Sequence, residues 1–95
     1  MYARVSIYEV PQDRRGEAEA SFASALTRIR EVDGLQKAQF FLGCDSERAV
    51  TITFWESQGA MAASRVAASR LRSDAASSVD GDVLSVEEFQ VVVDE

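Results

Sequence analysis

The sequence predicts an α+β fold in which one antiparallel sheet carries its helices on a single side. Three observations lead there: strict alternation near the N-terminus, apolar residues at three- and four-residue spacing just after it, and two later alternating stretches that read as a hairpin. A chain of 95 residues suits one domain, expected to span residues 1–95. At this size roughly 60–70% of the unfolded surface is buried on folding. So thin a core gains from covering a second apolar face with a partner subunit.

Taken in order, Tyr2 to Val10 alternates, with Ala3, Val5 and Ile7 on one side and Tyr2, Arg4, Ser6 and Tyr8 on the other. Pro11 ends this strand. Ala18, Phe22, Ala25, Leu26 and Ile29 then mark an amphipathic helix. Its early Glu17 and Glu19 and its late Arg28 and Arg30 match the helix dipole, and Asp33-Gly34 supplies the stop. Leu35 to Leu42 and Arg48 to Trp55 form the arms of the hairpin around Gly43-Cys44-Asp45-Ser46. Ala38, Phe40 and Leu42 with Val50, Ile52 and Phe54 make an apolar face, expected to meet the helices. Gln39, Phe41, Thr51, Thr53 and Trp55 make a mixed one. Ser57 is placed to cap a second helix running to about Ser73, with Ala63, Val66, Ala67 and Leu71 at helical spacing. Asp74 to Asp82 reads as a loop, and Val83 to Val93 as a last strand with a bulge near Glu87-Glu88.

The predicted order is thus β-α-β-β-α-β, the ferredoxin-like pattern with four antiparallel strands. Its uncovered face would carry Arg4, Ser6, Tyr8, Gln39, Phe41, Thr51, Thr53 and Trp55. A partner's equivalent sheet would cover that face and leave a pocket.

Composition narrows the chemistry. A net charge of −6 works against phosphate attraction, so nucleic acid is not an expected partner; Arg14 with Arg15, and Arg65, Arg70 and Arg72, read as solvated helix faces. No apolar run reaches the roughly 20 residues of a membrane span, and the N-terminus alternates instead of forming a signal-peptide core. A cytoplasmic location is expected. The single cysteine, Cys44, has no intrachain partner, and the acidic Asp45 and Glu47 beside it are not surroundings that activate a thiol. With no histidine in the chain, the usual hydrolytic triads and the commonest neutral-pH base are excluded. No glycine-rich phosphate loop, zinc-type cysteine pair or helical carboxylate cluster is present, so neither a metal nor a cofactor is expected.

The element order, the segment Val32-Asp33-Gly34-Leu35, and Thr53-Phe54-Trp55-Glu56-Ser57 followed by Gly59-Ala60-Met61 together resemble a known family. They are similar to the dimeric α/β-barrel superfamily, and within it to the small antibiotic-biosynthesis-monooxygenase-like (ABM-like) domains. The resemblance covers nearly the whole chain and implies a homodimer whose two sheets pack into one barrel. A ligand cavity would lie between sheet and helices or inside the barrel. Trp55 sits where the family's cofactor-independent oxygenases place a cavity tryptophan. Those enzymes usually add an asparagine on the substrate oxygen; this chain contains no asparagine, and Thr51 or Thr53 would stand in its place. The haem-degrading members use a histidine ligand, which this chain also lacks.

The ligand-binding candidates are therefore Arg4, Tyr8, Phe41, Thr51, Thr53 and Trp55. Arg4 and Tyr8 suit an anionic or phenolic oxygen, although Arg4 pairing with Glu87 or Glu88 is the favoured explanation. Trp55 suits stacking on an aromatic ligand, or plain packing. Glu87 and Glu88 suit a general base or charges that protect an edge strand. No catalytic residue is assigned. The expected function is binding of a small aromatic or polyketide-like molecule by a homodimer; the alternative is a cofactor-independent monooxygenase or cyclase acting on a phenolic substrate. A third possibility is a pocketless assembly module.

Overall fold

Alternating residues build β1 (Tyr2–Glu9), and Pro11, which lacks a backbone donor, follows its end. In the computed structural model, which describes residues 1–95, a 3-10 turn (Gln12–Arg14) leads into α1 (Arg15–Ile29). Gly34, at φ 88°, turns the chain into β2 (Leu35–Leu42), and a hairpin returns it as β3 (Arg48–Trp55). The Ser57 hydroxyl caps α2 (Gln58–Ala63), accepting the Ala60 N–H at 3.0 Å. Then come α3 (Arg65–Ser77) and β4 (Asp82–Gln90). All strand pairs are antiparallel, in the order β2-β3-β1-β4. This is the expected ferredoxin-like α+β fold.

Three boundaries differ from the sequence reading. The second helix, expected unbroken from Ser57 to Ser73, breaks at Ser64 and then runs on to Ser77 through part of the expected loop. The Ser64 hydroxyl donates to the Met61 carbonyl at 2.7 Å, a back-bond that competes with the helical ladder. The expected bulge at the glutamates lies further back, where Ile7 pairs with Ser85 and Tyr8 with Val83, leaving Leu84 as the extra residue. β4 itself ends at Gln90, and Val92 and Val93 are exposed beyond it.

The larger correction concerns the faces. Arg4, Ser6, Tyr8, Thr51, Thr53 and Trp55, expected on the open side, lie buried against the helices. Val5, Ile7, Val50, Ile52 and Phe54, expected to meet the helices, form the open side and stay half-buried. Register explains part of this. Phe40 pairs with Thr51 and Phe41 with Val50, so Ala38, Phe40 and Leu42 do face the helices but share that face with the threonines. Residue size explains the rest. The helices present mostly small side chains to the sheet, Ala18, Ala68, Ala75 and Ala76. Only long sheet residues fill the space opposite them. Trp55 packs with Ile29, Met61 and Ala68, while Tyr8 meets Phe22 edge-on at 4.8 Å and Phe22 stacks on Phe40 at 4.5 Å.

Two glycines separate backbone need from spare freedom. A Cβ on Gly34 would lie 2.5 Å from the Ala60 Cβ, in a left-handed conformation, whereas one on Gly16 meets nothing within 4 Å. Gly34→Ala is therefore expected to destabilise the fold by at least about 1–2 kcal/mol, and Gly16→Ala, inside α1, to stabilise it by about 0.4–1 kcal/mol. Urea unfolding of the two variants measures both signs.

Candidate functional site

The helix-side face of the sheet gathers most of the candidates. Arg4, from the middle of β1, is 3% exposed and its guanidinium is fully engaged. It donates to Ser64 Oγ at 3.0 Å, to the Met61 carbonyl at 2.7 Å and to Glu88 Oε2 at 2.9 Å. The same group lies 5.7 Å from the centroid of the Trp55 ring. The pairing with Glu88 follows from register, since β4 sets that residue directly beside Arg4. On its outer side Glu88 accepts from Arg65 at 2.6 Å. These bonds, from Arg65 first and then Arg4, hold the Glu88 carboxyl at about 2, well below the usual carboxylate value, against the opposing effect of burial.

A second set of bonds ties up the hydroxyls. Tyr8 Oη and Thr51 Oγ1 are 2.8 Å apart, and Trp55 Nε1 donates to Thr53 Oγ1 at 3.0 Å. No buried side-chain nitrogen or oxygen is left without a partner. Burial pushes the Tyr8 phenol upward, the Thr51 bond partly opposing it. Around neutral pH Tyr8 is thus a neutral hydroxyl and Glu88 a fixed anion. Neither is poised to shuttle a proton.

Between the sheet and the helices lies a cavity of about 40 Å³, floored by Arg4, Tyr8, Thr51 and Thr53 and walled by Phe22 and Leu71. It has room for water or the edge of a small ring. Beside it, between α3 and β4, is an open cleft of about 390 Å³ bounded by Arg65, Ser69, Val86 and Glu88. Arg4 and Arg72 border both spaces.

Of the six candidates, Arg4, Tyr8, Thr51 and Thr53 share this cavity. Trp55 is buried next to it and does not line it. Phe41 is not part of the group: it points to the open face and is 42% exposed. Glu87 also faces that side, opposite Val5. Cys44 is exposed, and nowhere do three metal-binding side chains converge. The residue missed by the sequence reading is Arg72, assigned above to a solvated face. Its spacing held the signal, because Ser64, Ala68, Arg72, Ala75 and Ala76 recur at three- and four-residue steps along the buried stripe.

With this geometry in view, the chain can be set beside known proteins. No family model matches the sequence, and no curated protein is significantly similar to it. Solved structures do match. A Deinococcus radiodurans protein described as a candidate antibiotic biosynthesis monooxygenase superposes with a TM-score of 0.80 at 11% identity, over 100% of this chain and 96% of the other. A variant of SnoaB, a cofactor-independent oxygenase of Streptomyces nogalater, gives 0.78 at 13% identity, covering 98% of this chain and 94% of its own. By fold, the chain is ABM-like. The haem-degrading protein MhuD of Mycobacterium tuberculosis, solved with two haems bound, aligns with this ABM-like chain at 24% identity and a TM-score of 0.75, covering 100% and 99% of the two chains.

The Arg4 network yields two expected outcomes. Arg4→Met removes the partner of several buried groups and should cost about 3 kcal/mol or more in chemical unfolding. Glu88 has a folded pKa near 2 against an ordinary value of 4.5, so its contribution is complete above about pH 4.5 and lost as pH falls towards 2. Unfolding free energies measured across that window should fall less steeply in Glu88→Gln than in the parent chain.

Proposed function

We propose that this ABM-like chain is a small-molecule-binding protein that works as a homodimer and takes a small aromatic or polyketide-like ligand on the helix side of its sheet. One observation carries the reading: a cavity with aromatic and aliphatic walls and a hydroxyl-bearing floor lies beside an open cleft and shares Arg4 and Arg72 with it. A single aromatic ring can bridge the two spaces; a larger polyketide needs the α3–β4 margin to spread.

The homodimer is supported by the open sheet face. Val5, Ile7, Val50, Ile52 and Phe54 lie there with Phe41, and Phe89 adds a further exposed ring beside Ala3. A central apolar band of this kind, bordered by Gln39 and Glu87, is stabilised by contact with its own copy, sheet on sheet. No helix is long and apolar enough to cross a membrane. A cytoplasmic protein remains our reading.

The second reading, a cofactor-independent monooxygenase or cyclase, is favoured by the likeness to SnoaB. Its chemistry would have to start from a substrate that is already anionic, because neither Tyr8 nor Glu88 is tuned as a base near neutrality. Haem, which MhuD carries, does not fit these residues. The cavity is about 40 Å³, the chain has no histidine, and the Tyr8 hydroxyl is already bonded to Thr51.

Native mass spectrometry of protein purified without refolding tests the main reading. A dimer carrying an extra aromatic-sized mass is expected, and an empty monomer would defeat it. Ile52→Lys, at the centre of the open face, should shift the dimer to monomer while far-ultraviolet circular dichroism keeps the folded signal. In an oxygen electrode with hydroquinones and anthrones, uptake at the buffer rate is expected; a clear excess would favour the oxygenase.

A further inference from the structure

We propose that Arg72 is the recognition group of the cavity and that its ligand is a small aromatic carboxylate entering between α3 and β4. The inference rests on the cavity reading above and names the ligand class. Arg4 and Arg65 are bonded to Glu88, Arg14 to Glu17 and Asp80, and Arg15 to the Gly43 carbonyl. Arg72 is different. It is half-buried, it makes neither a hydrogen bond nor an ion pair, and it borders the cavity and the cleft at once.

An unpaired cation held partly out of water is costly, and an arriving carboxylate offsets that cost. Burial draws the Arg72 pKa down from the ordinary arginine range, with attraction towards Tyr8 opposing and repulsion from Arg4 adding to it. The neighbourhood leaves room for one more negative charge. Glu88, the carboxylate in the cleft, already serves Arg4 and Arg65. A guanidinium fork matches a carboxylate with two parallel bonds. Leu26, Ile29 and Leu71, which line the cavity, then meet the edge of the ring, whose remainder lies in the cleft. The hydroxyl groups of the floor are paired with each other, so charge rather than hydroxyl pairing is the discriminating feature.

The experiment compares benzoate with benzamide, which has nearly the same shape and no charge. Trp55 is the sole tryptophan and packs against Ile29 and Ala68, two residues of the cavity wall, so its fluorescence reports binding, with isothermal titration as a second readout. In the parent chain benzoate should bind at least about tenfold tighter than benzamide, the scale of a charge-assisted pair. Arg72→Met should lose that preference, and Arg72→Lys should keep part of it. If Arg72→Met fails to fold, Arg72→Gln carries the same test. Equal binding of the two probes in the parent, or a preference that survives in Arg72→Met, overturns the Arg72 assignment and leaves the cavity reading standing. Binding of neither probe to the parent overturns both.

Discussion

A buried guanidinium governs the architecture. Arg4 reaches from the centre of the sheet to the helix layer and holds Ser64, the Met61 carbonyl and Glu88 at once, with Trp55 against its side. Each contact fixes a different element: the end of α2, the start of α3, the last strand and the end of β3. Remove the charge and those polar groups stay buried with fewer partners, an arrangement more costly than an apolar core of the same shape. The break between α2 and α3 belongs to this network, since the serine that interrupts the helix also accepts from Arg4. The direction in which α3 leaves the break brings Arg72 to the cavity.

This network also accounts for what was legible in the sequence and what was not. Strands and helices followed from local spacing, because alternation and helical periodicity are properties of neighbouring residues. The choice of covered face did not. Arg4, Ser6 and Tyr8 look like a solvent-facing row until their partners are known, and those partners lie far along the chain at Thr51, Ser64 and Glu88. Local patterning assigns polar residues to water; here distant pairing overrides it. Trp55 was placed on the correct set of alternating residues, with Thr53, Thr51 and Arg4, and the set as a whole was turned to the wrong side. Phe41 was separated from the others by the register of the hairpin, which composition cannot supply.

The ABM-like scaffold is compatible with more than one chemistry, as its structural likeness to an oxygenase and to a haem degrader makes plain. What differs is the set of side chains facing the space between sheet and helices. In this chain that set contains two arginines, a phenol and two threonines, with no histidine or asparagine. Such a lining combines positive charge with hydroxyls that are already bonded within the sheet.

The alanine-rich inner surfaces of the helices have a consequence for how this scaffold can vary. Ala68, Ala75 and Ala76 have no side-chain atoms beyond Cβ to give up, so α3 is already near its closest approach to the strands. Where α3 presents alanine, the dimensions of the interior are therefore written on the sheet, by Tyr8, Thr51 and Thr53, while Phe22, Leu26, Ile29 and Leu71 close it from the helices. A larger chamber comes from shortening those strand residues, and a larger side chain on α3 would lift the helix and open the margin instead. Variation in the size of the space within such a framework is a property of its floor as much as of its roof.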